Sequence, residues 1–140
     1  MSPRTDIRTA LQTVIQTLEG ISSASVLIGR HRSIPPAKLP AICIYTETEE
    51  KQTAAIGHPR EIDRQFSAQI EIHLRATTPA EAETGLDAWC EKLETALLAD
   101  ESLGGLTREI IPQSDQYMIS EEGERPAAVA LCQYLVVYDC

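Results

Sequence analysis

Aromatic residues and long apolar segments are scarce in this sequence of 140 residues. With one tryptophan, one phenylalanine and four tyrosines, aliphatic side chains must fill most of the core. No segment approaches the roughly 20 consecutive apolar residues of a transmembrane helix, so we expect a soluble protein that does not enter a membrane. Residues 1–6 lack the apolar segment of a signal peptide, which favours the cytoplasm and reduced cysteines.

Basic side chains are too few for a protein that holds nucleic acid by its phosphates. Twelve lysines and arginines stand against 21 aspartates and glutamates, and the formal net charge is −9. Binding to phosphates requires clustered basic side chains. The composition therefore argues against specific nucleic-acid binding.

Motifs for metal binding, cofactor binding and nucleophilic catalysis are also missing. The cysteines are Cys43, Cys90, Cys132 and Cys140, and the histidines are His31, His58 and His73. Neither set shows the short paired spacing of a metal site. There is no G-x-S-x-G motif, and Gly104-Gly105 is typical of a turn. We expect no catalytic residue, cofactor or metal, buried roles for the first three cysteines, and an exposed Cys140.

Residues 63–99 contain the clearest strand and the clearest helix of the sequence. Apolar and polar residues alternate from Phe66 to Leu74, which predicts a strand with one dry face. Thr78-Pro79-Ala80-Glu81 supplies an N-cap, a proline in the first turn and a capping-box glutamate. The apolar residues that follow at helical spacing are Leu86, Trp89, Cys90, Leu93 and Leu97. This helix is expected to cover the dry side of the strand.

Before this unit the sequence predicts a helix and two strands. The helix starts at Ser2-Pro3 and ends at Gly20, a short strand covers residues 21–28, and residues 30–39 form a proline-containing loop. A strand over residues 39–45 turns polar and leaves the core at residues 46–50. Residues 51–62 are too polar to pack, so they form either a flexible connection between antiparallel strands or an arm that orders on a partner.

The last third of the chain predicts strands only. Two short strands are expected over residues 107–112 and 116–119, separated by Pro112 and Asp115, followed by a charged hairpin connection. Residues 127–138 are apolar at nearly every position. This final strand is either central with both faces covered, or buried on one face by the core and on the other by a second subunit.

These elements together predict one α+β domain over residues 1–140. Its sheet has four to six strands, mostly antiparallel or mixed, with two helices packed on one face. Two helices can hardly cover both faces of such a sheet. The surplus apolar surface of the final strand is therefore an argument for an oligomer.

The second helix carries acidic residues every four positions, at Glu83, Asp87 and Glu91. Like charges at this spacing destabilise a helix slightly. The pattern usually marks a solvated face, and the functional alternative is a face that opposes a basic partner or lines an acidic channel. One exposed helical face does not provide the convergent carboxylates of general acid and base catalysis.

The order of segments resembles the tail terminator proteins of long-tailed phages and prophages, the minor tail protein U-like family. The similarity runs over almost the whole chain. It includes the proline-containing loop before residues 39–45, the long loop before residues 64–74, the helix with residues 86–94, and the last strand closing on residues 134–138. The similarity lies in the order of the segments and in their general residue pattern, since the family has no short signature motif.

The resemblance implies a non-enzymatic virion protein of the tail or neck, made in the cytoplasm of a bacterial host. Copies of the chain would form a ring, hexameric in this family, on the end of the completed tail tube. The ring would bind the tail tube protein, stop its polymerisation, and offer the surface for the head-completion or neck protein. DNA would pass through the ring without specific contacts, which suits an acidic protein.

Two other functions are compatible with the same residues. One is a different neck or head–tail completion protein; the other is a small α+β enzyme or ligand-binding domain using Glu71, His73 and Arg75 on the polar face of the central strand.

If the chain is a structural protein of a virion, the residues expected to contact other subunits or partners lie in the polar connection, on the acidic helix face and on the last strand. They are His58, Arg60, Glu61, Glu83, Asp87, Glu91, Tyr134, Val136 and Tyr138.

Overall fold

A computed structural model describes residues 3–29, 39–53, 62–120 and 127–139 of the chain. Within these ranges there are two α-helices, α1 over Pro3–Gln16 and α2 over Pro79–Ala99. The strands are β1 (Val26–Ile28), β2 (Ala41–Thr53), β3 (Ile62–Arg75), β4 (Glu109–Ser120) and β5 (Ala127–Asp139). No helix of the described ranges is long and apolar enough to cross a membrane.

The five strands form one mixed sheet in the order β1-β2-β3-β5-β4. Only β1 and β2 are parallel, and every other neighbouring pair is antiparallel. The predicted α+β class, strand number and mostly antiparallel sheet are therefore confirmed. Strand β5 is not at an edge of the sheet, because β3 pairs with one of its sides and β4 with the other.

Both helices pack on one face of the sheet, which we call the inner face. On β3 the side chains of Phe66, Ile70 and Ile72 point there and are buried, as the alternation predicted. The buried helix residues that meet them are Ile7, Leu11 and Ile15 of α1 with Ala82, Leu86, Cys90, Leu93 and Leu97 of α2. These side chains form a single core cluster.

Helix α2 begins at the cap that the sequence indicates. The hydroxyl oxygen of Thr78 accepts a hydrogen bond from the backbone N–H of Glu81 at 3.2 Å. The Glu81 carboxylate accepts from the backbone N–H of Thr77, one residue before the N-cap, also at 3.2 Å. The two bonds satisfy donors that have no partner inside the helix.

Thr78→Ala removes this cap and is expected to lower the free energy of unfolding by about 1 kcal/mol. Urea denaturation monitored by circular dichroism measures the change. Thr84→Ala is the matched control, because the Thr84 hydroxyl bonds only the carbonyl of Ala80 within the helix. Alanine is the better helix former there, so no loss is expected for the control. Equal losses for both variants would contradict the assigned role of the cap.

The structure corrects the predicted limits of the first three elements. Helix α1 ends at Gln16 instead of Gly20, and a 3₁₀ turn over Ser23–Ser25 replaces the first half of the predicted strand before β1. Strand β2 continues to Thr53, paired with β3 as far as Ile62. A polar sequence can continue a strand here because β3 satisfies its backbone groups. The rest of the predicted connection, residues 54–61, lies outside the described residues.

The two short strands expected before the hairpin are one strand, β4. Its register against β5 shifts between Pro112 and Ser114, so the proline sits at a bulge of an edge strand, where a missing N–H is tolerated. The prediction of two strands is wrong, because pairing with β5 continues on both sides of the bulge.

The turn between α2 and β4 follows the sequence. Gly104 and Gly105 have φ angles of 70° and 98°, which confirms the predicted tight turn. The Asp100 carboxylate accepts hydrogen bonds from the Ser102 hydroxyl at 2.6 Å and from the Gly104 N–H at 3.0 Å. The pKa of Asp100 is lowered because these donors, the Ser102 hydroxyl first, stabilise the carboxylate.

Candidate functional site: the outer face of the sheet

The outer face of the sheet, opposite the helices, is not covered by either described helix. Strand β5 presents Val129, Leu131, Leu135 and Val137 on this face, and we call these four residues the outer strip. Each is half-buried, whereas the alternate β5 side chains are buried on the inner face. Met118 of the neighbouring strand β4 lies across from Val129 and is 60% exposed. The outer strip is thus a partly exposed row of aliphatic side chains in the middle of the sheet, with Gln133 between Leu131 and Leu135.

Three of the predicted contact residues lie in the core and not on a surface. Tyr134, Val136 and Tyr138 are at most 3% exposed because they belong to the inner face of β5. Burial raises the pKa of Tyr134 above its ordinary value. The last strand does leave apolar side chains uncovered, as expected, but these are the residues of the outer strip and not the three predicted ones. A one-residue change of position on a strand moves a side chain to the other face.

The acidic residues of α2 are on the surface as predicted. Glu83, Asp87 and Glu91 are exposed. Asp87 accepts a hydrogen bond of 2.5 Å from the Tyr117 hydroxyl, so the stripe is joined to strand β4. His58, Arg60 and Glu61, the remaining predicted contact residues, lie outside the described residues.

A polar group on β2 and β3 borders the outer strip. Glu71 is 7% exposed; its carboxylate accepts a hydrogen bond from the Tyr45 hydroxyl, and its Oε1 lies 3.0 Å from Nε2 of His73. The structure therefore brings together Glu71 and His73 and adds Tyr45, which the sequence did not indicate. Arg75 instead lines a cavity of about 400 Å³ at the end of the strand, beside Trp89.

Two cavities are lined by described residues, and neither Glu71 nor His73 lines either of them. The first cavity lies between the end of β3 and α2, and the second lies between the end of α1 and the exposed side of α2. Within the polar group the Glu71 carboxylate is satisfied by the Tyr45 hydroxyl and lies beside the His73 ring.

Gln69 is a buried polar side chain at the centre of the outer face. It is 1% exposed, and its Oε1 accepts no hydrogen bond from the described residues. Its neighbour Gln133 on β5 accepts from the Ser114 hydroxyl at 3.1 Å. A buried acceptor without a donor costs free energy that an apolar side chain of the same shape would not.

Gln69→Leu is expected to raise the free energy of unfolding by about 1 kcal/mol, because it removes the unsatisfied acceptor. Urea denaturation at constant pH measures this. In the matched variant Gln133→Leu an existing hydrogen bond to Ser114 is lost, so no gain is expected. A clear loss of stability in Gln69→Leu would show that its carbonyl is satisfied in solution.

Two buried cysteines meet between α2 and β5. The Sγ atoms of Cys90 and Cys132 are 3.5 Å apart, and Asp115 of β4 lies beside them. The hydrogen bond between the thiols lowers the pKa of Cys90 and raises that of Cys132, with burial opposing the first shift and adding to the second. Burial and the Asp87 carboxylate raise the pKa of Tyr117.

The sequence predicted that Cys43, Cys90 and Cys132 are buried, and the structure confirms it. It gave no sign that two of them meet. They are 42 residues apart on a helix and a strand, and only the packing of α2 on β5 brings the two sulfurs together. Cys140 lies outside the described residues.

No protein-family model and no curated protein matches the sequence. Among solved structures, a chain from "Virion of native gene transfer agent (GTA) particle" is similar, with 10% sequence identity, a TM-score of 0.41 and coverage of 94% of each chain. This is a loose similarity in fold, from which no function is drawn.

Proposed function

We propose that this chain is a non-enzymatic structural protein of a phage or prophage particle, and that its copies form a ring that caps the tail tube. The observation that carries the proposal is the outer strip: four aliphatic residues of an inner strand that neither described helix covers. Sheet faces with apolar side chains are normally packed against another layer. The proposed layer is a neighbouring copy in the ring.

The contact between copies in a ring is heterologous, so the outer strip meets a different surface of the next copy. Such contacts build a closed ring only if each copy is rotated from its neighbour by a fixed angle that divides a full turn. The exposed acidic face of α2 lies on the opposite side of the molecule from the outer strip, with the core between them. That face is then free to line the lumen or to oppose a basic partner.

The mechanism of termination is steric and needs no catalyst. Contacts between the ring and the last ring of tube protein must be stronger than those made by a further tube ring. The new outer surface must lack the docking surface of the tube and offer one to a neck protein. A net charge of −9 suits a lumen through which DNA passes, because an acidic wall does not retain phosphates.

Size-exclusion chromatography with light scattering, followed by negative-stain electron microscopy, tests the ring. A closed oligomer in solution, or a ring that forms on added tail tubes, is the expected result. A chain that stays monomeric at high concentration and has no affinity for tail tubes would contradict the proposal.

A second candidate is another neck or head–tail completion protein, which would use the same outer strip against a different partner. Deletion of the gene from a phage or prophage that encodes it separates the two. Loss of a terminator gives overlong tails, because nothing stops the tube. Loss of a head-completion protein gives tails of normal length that are not joined to heads.

A further inference from the structure

We propose that Cys90, Cys132 and Asp115 form a binding site for a thiophilic divalent cation of the Zn²⁺ class, independent of any role in a particle. Their ligand atoms, two thiol sulfurs and one carboxylate oxygen, all lie within 4.8 Å of one another. Thiolate and carboxylate are both established ligands of Zn²⁺. The three residues come from α2, β5 and β4, so a bound ion would tie the helix to two strands.

The distance between the sulfurs fits a tetrahedral ion. Two sulfurs at the usual Zn–S distance of about 2.3 Å are about 3.8 Å apart in a tetrahedral site. The Sγ atoms of Cys90 and Cys132 are 3.5 Å apart. A movement of a few tenths of an ångström, within the reach of a χ1 rotation, gives the required geometry.

The bulge in β4 is what brings the carboxylate to the thiols. Ile110 points to the inner face, and strict alternation from there would send Asp115 to the outer face. The register shift between Pro112 and Ser114 reverses this, so that Asp115 pairs with Cys132 across the two strands. Bulges commonly re-aim one side chain toward a site.

The exposure of the three residues shows from which side an ion would reach the sulfurs. Asp115 is exposed whereas the two cysteines are buried, so an ion would enter from the β4 side and hold water as its fourth ligand.

Titration of the full chain with Cd²⁺ and Zn²⁺ under a phosphine reductant tests the site. All proteins carry Cys140→Ser to remove the terminal thiol. We expect a single tightly bound ion per chain after desalting, counted by mass spectrometry, and the ultraviolet absorption of a Cd–thiolate bond. Removal of a supporting residue around a metal typically costs about 10- to 100-fold in affinity, so Asp115→Asn, which removes a ligand, should cost at least tenfold.

The variants keep the test decisive. Asp115 is exposed, so Asp115→Asn is expected to fold normally even if Cys90→Ala or Cys132→Ala does not. Cys43→Ala is the matched control, since Cys43 is a buried cysteine on another strand, and its metal binding should equal that of the parent. Absence of Cd–thiolate absorption in the parent, or equal affinity in the parent and Asp115→Asn, would overturn the site.

Discussion

Leu135→Asp is expected to abolish the proposed assembly of the chain while leaving its fold intact. Leu135 lies in the outer strip, between Ser67 of β3 and Ile111 of β4. A central apolar residue of an interface contributes about 2 kcal/mol or more, which corresponds to a roughly 30-fold loss of affinity between copies. A charge in place of the leucine adds the cost of burying an unpaired carboxylate. Light scattering over a concentration series measures the loss.

Leu98→Asp is the control for the effect of an added charge. Leu98 is a leucine of α2 that is 41% exposed and lies on the other side of the molecule. This variant should assemble like the wild type. Far-ultraviolet circular dichroism should show native folding for both variants. Equal assembly of the two would remove the outer strip from the interface.

Phe66→Ala is expected to lower the free energy of unfolding by about 3–5 kcal/mol. Phe66 of β3 is 1% exposed, lies opposite Val136 of β5, and belongs to the core cluster that the helices share. Its ring packs edge-on against Tyr138, with centroids 5.9 Å apart and an angle of 68° between the planes. The variant loses the buried surface of the ring, leaves a cavity, and loses the aromatic pair. Urea denaturation with a fixed m-value measures the change.

Met118→Ala is the matched comparison for Phe66→Ala. Met118 is a large apolar residue in the same sheet, but it is 60% exposed. Surface substitutions of this kind usually change stability by less than about 0.5 kcal/mol. A loss for Phe66→Ala of the same size as for Met118→Ala would mean that Phe66 is not a central part of the core.

The sequence predicted the central strand and helix well because their signals are local. The alternation from Phe66 to Leu74 and the cap at Thr78 are properties of neighbouring residues, and the structure keeps both. Helix α2 buries the residues that its spacing indicated, and the glycine pair after it forms the expected turn. The class and size of the sheet follow from counting such segments.

The remaining features depend on residues that are distant in sequence. The bulge in β4 is defined by its pairing with β5. From the sequence alone, Pro112 therefore indicates the end of a strand and not an irregularity within one strand. A strand that is apolar at nearly every position has no alternation to show which side the helices cover. For this reason the sequence predicts Tyr134 as a contact residue, whereas the structure buries Tyr134 and places Leu135 on the outer face.

The length of tails in particles that carry Leu135→Asp, compared with Leu98→Asp, tests the central claim most directly. Negative-stain electron microscopy of particles from a phage or prophage that encodes the chain gives the length distribution. If the outer strip builds the terminating ring, Leu135→Asp gives overlong tails and Leu98→Asp gives tails of normal length. Normal and equal tail lengths for the two variants, with Leu135→Asp folded and present, would contradict the account.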